Sequence, residues 1–350
     1  MAEGVFRVGL SGDFRGAAGR AAFDALAWRW LAQEPGLELE VLDQPPGAPI
    51  EPADAARFDA LVIKRNRIDE RVLAAAPRLR IVARNGVGFD HIDVSACTRA
   101  GVMVTLTAAA VARPVASAIV ALILAFAHRL PERDRRTRAG QWMRRWEDPG
   151  FGLTGRTLGV VGLGGIGCEL LRLLAPWQMR HLACTPQPLD RRHDGLSVER
   201  VPLRDMLSQS DIVALCCPLN DRTRGLIGPE ALTWMLPHAI LVNAARGELV
   251  DEQALVQALQ GGRLGGAGLD VFTQEPPPAD HPLFSLPNVI VGSHNLANTD
   301  EMNLRSNRGV ARAVLEAKAA RVPEGLLNPD VLTHGRWTGA PPPGLQNVPG

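Results

Sequence analysis

Gly162, Gly164 and Gly167 stand at the spacing G-x-G-x-x-G, an arrangement that can cradle a pyrophosphate. The first glycine permits a tight turn, the second lets backbone approach the phosphates, and the third lets a helix pack close to a sheet. The chemistry needs a strand before the motif and a helix after it. Leu158, Val160 and Val161 supply the apolar run of a buried strand. Ile166, Leu170, Leu171 and Leu174 recur at helical spacing and share one face. The N-terminus of that helix presents free N–H groups and partial positive charge to the ligand.

The rest of the chain must position this turn. Before it, strands are expected at residues 6–10, 37–42, 59–63, 79–83 and 102–107, with helices at 17–31, 70–76 and 94–100. After it, strands are expected at 180–184, 212–216, 239–242, 266–271 and 289–291. A helix begins near 230, another is capped by Asp251, and a long one covers 301–320. The βαβ rhythm implies parallel sheets with helices on both faces. It is complete before the glycine motif starts, so two domains are expected. A long apolar helix at 111–130 is placed to bridge them. Residues 131–146, rich in Arg with Trp142 and Trp146, read as an arm that packs on a second subunit. The plainer reading is a basic face with its tryptophans tucked back. Residues 335–350 are of low complexity and are expected to be disordered.

Composition narrows the function. With 350 residues the chain is long enough for two cores, and a net charge of +1 gives no general pull toward nucleic acid or anionic membrane. The start of the chain lacks the pattern of a signal peptide. The apolar run at 116–127 falls short of the roughly 20 residues a bilayer requires and reads as a core helix. Five cysteines, odd in number and without zinc spacing, point to reduced thiols in the cytoplasm and to no metal site. There is no Tyr, which excludes a tyrosine acid.

The motifs together resemble the D-isomer-specific 2-hydroxyacid dehydrogenase family. The resemblance rests on RNGVGFDHID (84–93), GLGGIG (162–167), CPLNDRTRGLIG (217–228), LVNAARGELVDEQAL (241–255), GAGLDVFTQEP (266–276) and GSHNLANT (292–299). It extends over about residues 50–330 in family order. It implies an α/β fold of two doubly wound parallel-sheet domains, flavodoxin-like for substrate and Rossmann for dinucleotide. The substrate domain is then 1–107 plus 296–334, the dinucleotide domain 108–295, with substrate in the cleft between. The cofactor expected is NADP or NAD, on Gly162, Gly164, Gly165, Ile166, Gly167, Thr185, Cys217, Pro218, Ala244, Ala245 and Asp270. A homodimer acting on a small 2-oxo acid or 2-hydroxy acid is implied, without nucleic-acid or membrane partners.

The residues suit that chemistry. Reducing a 2-oxo acid needs a proton donor for the carbonyl oxygen and positive charge for the carboxylate. Of eight His, only His294 falls at the C-terminal end of an expected strand of the dinucleotide domain, where α/β ligands bind. Glu275 follows the fifth strand of that domain and can hold the imidazole and stabilise its protonated form. Arg246 follows the fourth and can hold the carboxylate and polarise the carbonyl. The N–H groups of Val87 and Gly88, with Asn85 beside them, resemble the family's carboxylate-binding turn.

Some positions depart from the family pattern. Ser293 and Asn295 flank the histidine where Pro and Ile are usual, and Cys216 replaces a common His. Thr185 stands where an Asp normally binds the adenosine ribose, which favours tolerance of NADPH, with Arg191 or Arg192 as phosphate partner. Lys64, Arg65 and Arg67 hint at an anionic substrate. Two alternatives from other classes remain: an NAD(H)-sensing corepressor-like protein without turnover, and a formate dehydrogenase.

Overall fold

The computed structural model describes residues 5–15 and 23–337. It divides into two compact units, residues 1–111 with 299–350 and residues 112–298.

In the first unit the chain alternates strand and helix. The elements are β1 (Phe6–Leu10), α1 (Ala25–Ala32), β2 (Leu37–Val41), α2 (Pro52–Ala55), β3 (Ala60–Ile63), α3 (Glu70–Ala75), β4 (Ile81–Arg84), α4 (Val94–Arg99) and β5 (Met103–Leu106). The five strands are parallel and ordered β2-β1-β3-β4-β5, the doubly wound order whose switch point lies between β1 and β3. Strand residues divide by parity. Val8, Leu10, Val62, Ile81, Ala83 and Met103 face one core; Leu61, Ile63, Val82 and Val104 face the other. Near-continuous apolar strands follow from burial on both faces. Edge strand β2, LELEV, carries glutamates instead.

The second unit opens within α5 (Ala108–Ala127), a helix of 20 residues that is long and apolar enough to cross a membrane. It is longer at its N-terminus than the 116–127 run suggests, so length alone does not decide its role. Packing does: Ala116, Ile119, Leu122, Ile123 and Ala127 lie in one core with Leu158, Val160, Ile240 and Val242. The helix also stops before the expected residue 130. Arg129 turns left-handed at φ 51°, which breaks the helical run, and α6 (Leu130–Arg138) starts beyond it with Pro131 in its first turn. The N–H of Phe151 satisfies the freed Ala127 carbonyl at 2.9 Å.

The remaining elements are β6 (Thr157–Val161), α7 (Gly165–Leu174), β7 (Arg180–Cys184), β8 (Glu199–Arg200), α8 (Leu203–Gln209), β9 (Ile212–Leu215), α9 (Pro229–Trp234), β10 (Ile240–Asn243), α10 (Glu252–Gln260), β11 (Gly266–Leu269) and β12 (Val289–Val291). The sheet has seven strands in the order β12-β11-β10-β9-β6-β7-β8. The two-residue edge strand β8 was not expected: it has no periodicity to read. Asp251 caps α10 through the Ala254 N–H, as its sequence position suggests.

The chain then returns to the first unit. α11 (Asp300–Lys318) lays Val310, Ala311, Ala313, Val314 and Ala317 on the Val8–Met103 face of the sheet. Part of the tail read as disordered is also seated there. Trp337 is buried, donates from its indole to the Gly101 carbonyl at 2.8 Å, and packs in the same core. The indole supplies apolar area and one satisfied donor, which a purely compositional reading overlooks. Residues 338–350 lie outside the described residues.

Candidate active site

The glycine motif acts through its backbone. Gly162 has φ +92°, and a Cβ there would meet the Cys217 backbone at 2.8 Å. A Cβ on Gly167 would run into the Gly162 carbonyl, so α7 packs against the turn only without one. At Gly164, the N-cap of α7, a Cβ would meet nothing within 4 Å. Two glycines are thus required by close packing and one faces open space, where a pyrophosphate would lie against the N–H groups of Gly165 and Ile166. The residues therefore fit a dinucleotide. His193, buried in the loop after β7, bonds the Leu163 carbonyl at 3.1 Å and ties that loop to the turn.

Thr185 and Cys217 follow β7 and β9 at the same sheet edge. Burial pushes the Cys217 thiol up to about 11, so it stays neutral at physiological pH. Thr185 brings a feature the sequence did not reveal. Arg200, on β8, donates from Nε to the Thr185 carbonyl at 2.9 Å and from Nη2 to the Pro186 carbonyl at 3.2 Å. Its neighbour Glu199 is committed to Arg180 at 2.8 Å, and among the described residues Arg200 has no carboxylate partner. Its charge also opposes the rise that burial imposes on the Cys184 thiol. Arg191 is exposed in the short turn Arg191–His193, and the side chain of Arg192 lies outside the description.

Arg246, Glu275 and His294 follow the neighbouring strands β10, β11 and β12. Asn243, buried at the end of β10, accepts from the Ala245 N–H at 3.0 Å and donates to the Arg246 carbonyl at 2.8 Å, which closes the Ala244–Ala245 turn. Arg246 Nη1 donates to the Ala245 carbonyl at 2.7 Å. A Cβ on Gly247 would run into the Phe272 carbonyl, so glycine alone allows the Arg246 loop to lie against the start of the Glu275 loop. Glu252 holds the far side of that loop through the Thr273 N–H at 3.2 Å and His281 at 2.9 Å.

His294 Nδ1 lies 2.9 Å from Glu275 Oε2 and 3.0 Å from Oε1, with the side chains 26% and 18% exposed. The ionised carboxylate accepts the Nδ1 proton. Glu275 is held in turn by the Phe272 N–H at 3.1 Å. His294 sits at φ 56°, a conformation costing an ordinary residue about 1–3 kcal/mol. Asp270 compensates. Its carbonyl accepts the His294 N–H at 2.7 Å, and its carboxylate accepts the N–H groups of Asn295 at 3.1 Å and Leu296 at 3.2 Å. Burial pushes the Asp270 carboxyl up, and these bonds pull it back. Gly292 is needed beside it, since a Cβ there would strike that carboxylate.

In the first unit, Asn85, Val87 and Gly88 form the turn after β4. Asn85 Nδ2 donates to Asn307 Oδ1 on α11 at 2.8 Å. Gly86, at φ +135°, donates its N–H to Thr107 Oγ1 at 2.8 Å. Arg84 wraps the turn, its Nε donating to the Gly88 carbonyl at 2.8 Å and its Nη1 to the Asn85 carbonyl.

The chain matches the family model of the D-isomer specific 2-hydroxyacid dehydrogenase NAD binding domain over residues 120–295. It is 40% identical over 292 residues to a glyoxylate reductase of Korarchaeum cryptofilum, covering 82% of this chain and 86% of that one. It is 39% identical to the glyoxylate reductase of Aeropyrum pernix over 304 residues, 84% of this chain and 91% of that one. The structure of an NADPH-dependent glyoxylate/hydroxypyruvate reductase from Sinorhizobium meliloti, with NADP and malonate, superimposes with a TM-score of 0.79 at 27% identity. It covers 93% of this chain and 97% of that one. The chain belongs to the D-isomer-specific 2-hydroxyacid dehydrogenase family. It is an NAD(P)-dependent oxidoreductase that reduces an oxo acid to a hydroxy acid.

Proposed function

We propose that the protein reduces a small 2-oxo acid, glyoxylate first among them, to the D-2-hydroxy acid. The observation that carries this reading is the His294–Glu275 pair at the sheet edge that also bears Arg246. The bound dinucleotide supplies the hydride. His294 Nε2 gives the proton to the carbonyl oxygen, and the Glu275 carboxylate balances the imidazolium before transfer. Arg246 holds the substrate carboxylate and draws charge from the carbonyl. In the first unit, the N–H groups of Val87 and Gly88 are the candidate carboxylate-binding turn. Gly162–Gly167, Thr185, Cys217–Pro218, Ala244–Ala245 and Asp270 line the dinucleotide site. A spectrophotometric screen of 2-oxo acids with NADH and NADPH tests this: turnover of glyoxylate is expected. Stoichiometric dinucleotide binding without turnover of any 2-oxo acid would favour the corepressor-like alternative, and formate oxidation would favour the formate dehydrogenase.

The assembly we expect is a cytoplasmic homodimer built through the dinucleotide unit and its arm. Trp142, Met143 and Trp146 are 63%, 80% and 83% exposed, so the tryptophans are not tucked back on their own unit. Arg145 stacks over both indoles at 5.8 and 5.5 Å. An exposed apolar patch rimmed by charge is the signature of a protein contact. Light scattering at micromolar concentration should give twice the chain mass, and Trp142→Ser with Trp146→Ser should lower it. A monomeric wild type would refute the dimer.

A further inference from the structure

A second recess lies in the first unit, at the opposite end of the sheet from the Asn85–Gly88 turn. Strands β1, β3 and β4 are neighbours and parallel, so their N-terminal ends share one edge. Phe6, Asp59, Arg78 and Arg80 stand at those ends and, with Pro77 and Arg336, line a cavity of about 340 Å³. Its walls are fixed. Buried Asp59 accepts the Arg7 N–H at 2.9 Å and Arg78 Nη2 at 2.7 Å on one oxygen, and its carbonyl accepts the Arg80 N–H at 2.7 Å. Arg336 arrives from the far end of the chain. Buried Trp337 pins that segment, and Arg336 donates to the carbonyls of Leu79 at 2.5 Å and Pro77 at 2.9 Å.

The recess carries more positive charge than its own groups neutralise. Three guanidinium groups line it with one carboxylate, and that carboxylate pairs with Arg78. Among the described residues neither Arg80 nor Arg336 has a carboxylate partner. Half-buried Arg80 lies over the Phe6 ring, 5.9 Å from its centre, and among the described residues its guanidinium donates no hydrogen bond. Burial and the nearby charge of Arg80 hold Arg336 below the usual arginine range, and Asp59 opposes them. A dispersed basic face would let its arginines turn apart into solvent. Here backbone carbonyls hold Arg336 and an aromatic ring seats Arg80. Like charges held together disfavour the folded state, and an anion bound between them stabilises it.

We infer that this recess binds a phosphate group in its dianionic form, free or carried as a monoester by a small molecule. Charge and shape both select it. The two guanidinium groups without a carboxylate match the charge of about −1.5 to −2 that a phosphate monoester carries near neutral pH. Their planar forks suit oxyanions through paired hydrogen bonds, and a single carboxylate would balance only one of them. The cavity is at the small end of the roughly 300–1,000 Å³ usual for ligand sites, so the ester it takes is compact. The site is independent of the reaction proposed above.

Calorimetric titration of the full chain with inorganic phosphate and with glycerol 3-phosphate tests this. Ionic strength is fixed with sodium chloride, and NADPH is kept saturating so that the dinucleotide's own phosphate sites are filled. Saturable binding of one equivalent is expected. Tighter binding of glycerol 3-phosphate would make an ester the ligand, and tighter binding of inorganic phosphate the free ion. Arg80→Met keeps an unbranched stem over Phe6 and should weaken binding at least tenfold. Arg80→Lys keeps the charge and should lose less; equal losses in the two variants would mark a packing effect and overturn the inference. Arg336→Gln keeps a donor for the carbonyls and should also weaken binding. Wild type without saturable binding overturns the inference, as does unchanged affinity in either Arg80→Met or Arg336→Gln, which would place the phosphate elsewhere.

Discussion

His294→Asn is expected to lower kcat by about 10²–10⁴-fold, the usual worth of a positioned acid–base group. Asparagine keeps a polar side chain of similar reach but cannot deliver a proton. Dinucleotide affinity should survive, because the glycine turn and the loops after β7 and β9 do not depend on the imidazole. Glu275→Gln should cost less, since it keeps a hydrogen-bond acceptor for Nδ1 and removes only the charge. The double variant should be no slower than His294→Asn alone, because groups acting as one unit are not additive. Stopped-flow reduction with saturating dinucleotide checks both points. Turnover of His294→Asn within threefold of wild type would remove His294 from the proton-donor role.

The second large effect concerns dinucleotide choice. Thr185→Asp would set a carboxylate where the 2′-phosphate of NADPH is expected. Two negative charges at roughly 5 Å from one more are repelled by about 2 to 6 kcal/mol, depending on the effective dielectric. Even the lower figure is more than a tenfold loss in kcat/KM for NADPH, while NADH carries no phosphate there. Arg200→Ala should shift the NADPH/NADH ratio in the same direction by removing the cation bonded to the Thr185 and Pro186 carbonyls. Steady-state kinetics with both dinucleotides decide it. A wild type at least tenfold better with NADH, and a ratio untouched by either change, would refute a phosphate subsite at this corner.

The contrast between Thr185 and Arg200 shows what a sequence discloses. Thr185 is legible because a strand pattern leads directly to it. Arg200 lies 15 residues further on, in a two-residue strand whose pairing with β7 is visible only in three dimensions. Gly162 and Gly167 are legible because each answers one steric demand. The proximity of His294 to Glu275 was expected from family spacing, but the means of holding it were not. The grip of Asp270 on two backbone N–H groups leaves no periodic trace, nor does the contact of Gly247 with Phe272. The end of α5 was misplaced for a related reason. The apolar run ends at residue 127 but nothing in the pattern stops the helix there, and the break is imposed by a left-handed Arg129.

The return of α11 to the first unit has a consequence for biosynthesis. The face of the first sheet that carries Val8, Leu10, Val62 and Met103 is covered by Val310, Val314, Val331 and Trp337, from the far end of the chain. A ribosome therefore completes every residue of the second unit, 112–298, before the first unit can close its core. The strands made first wait longest with one apolar face unshielded, the condition under which nascent chains aggregate or recruit chaperones. Premature termination near residue 298 would leave the dinucleotide unit whole and strand β1–β5 without their cover.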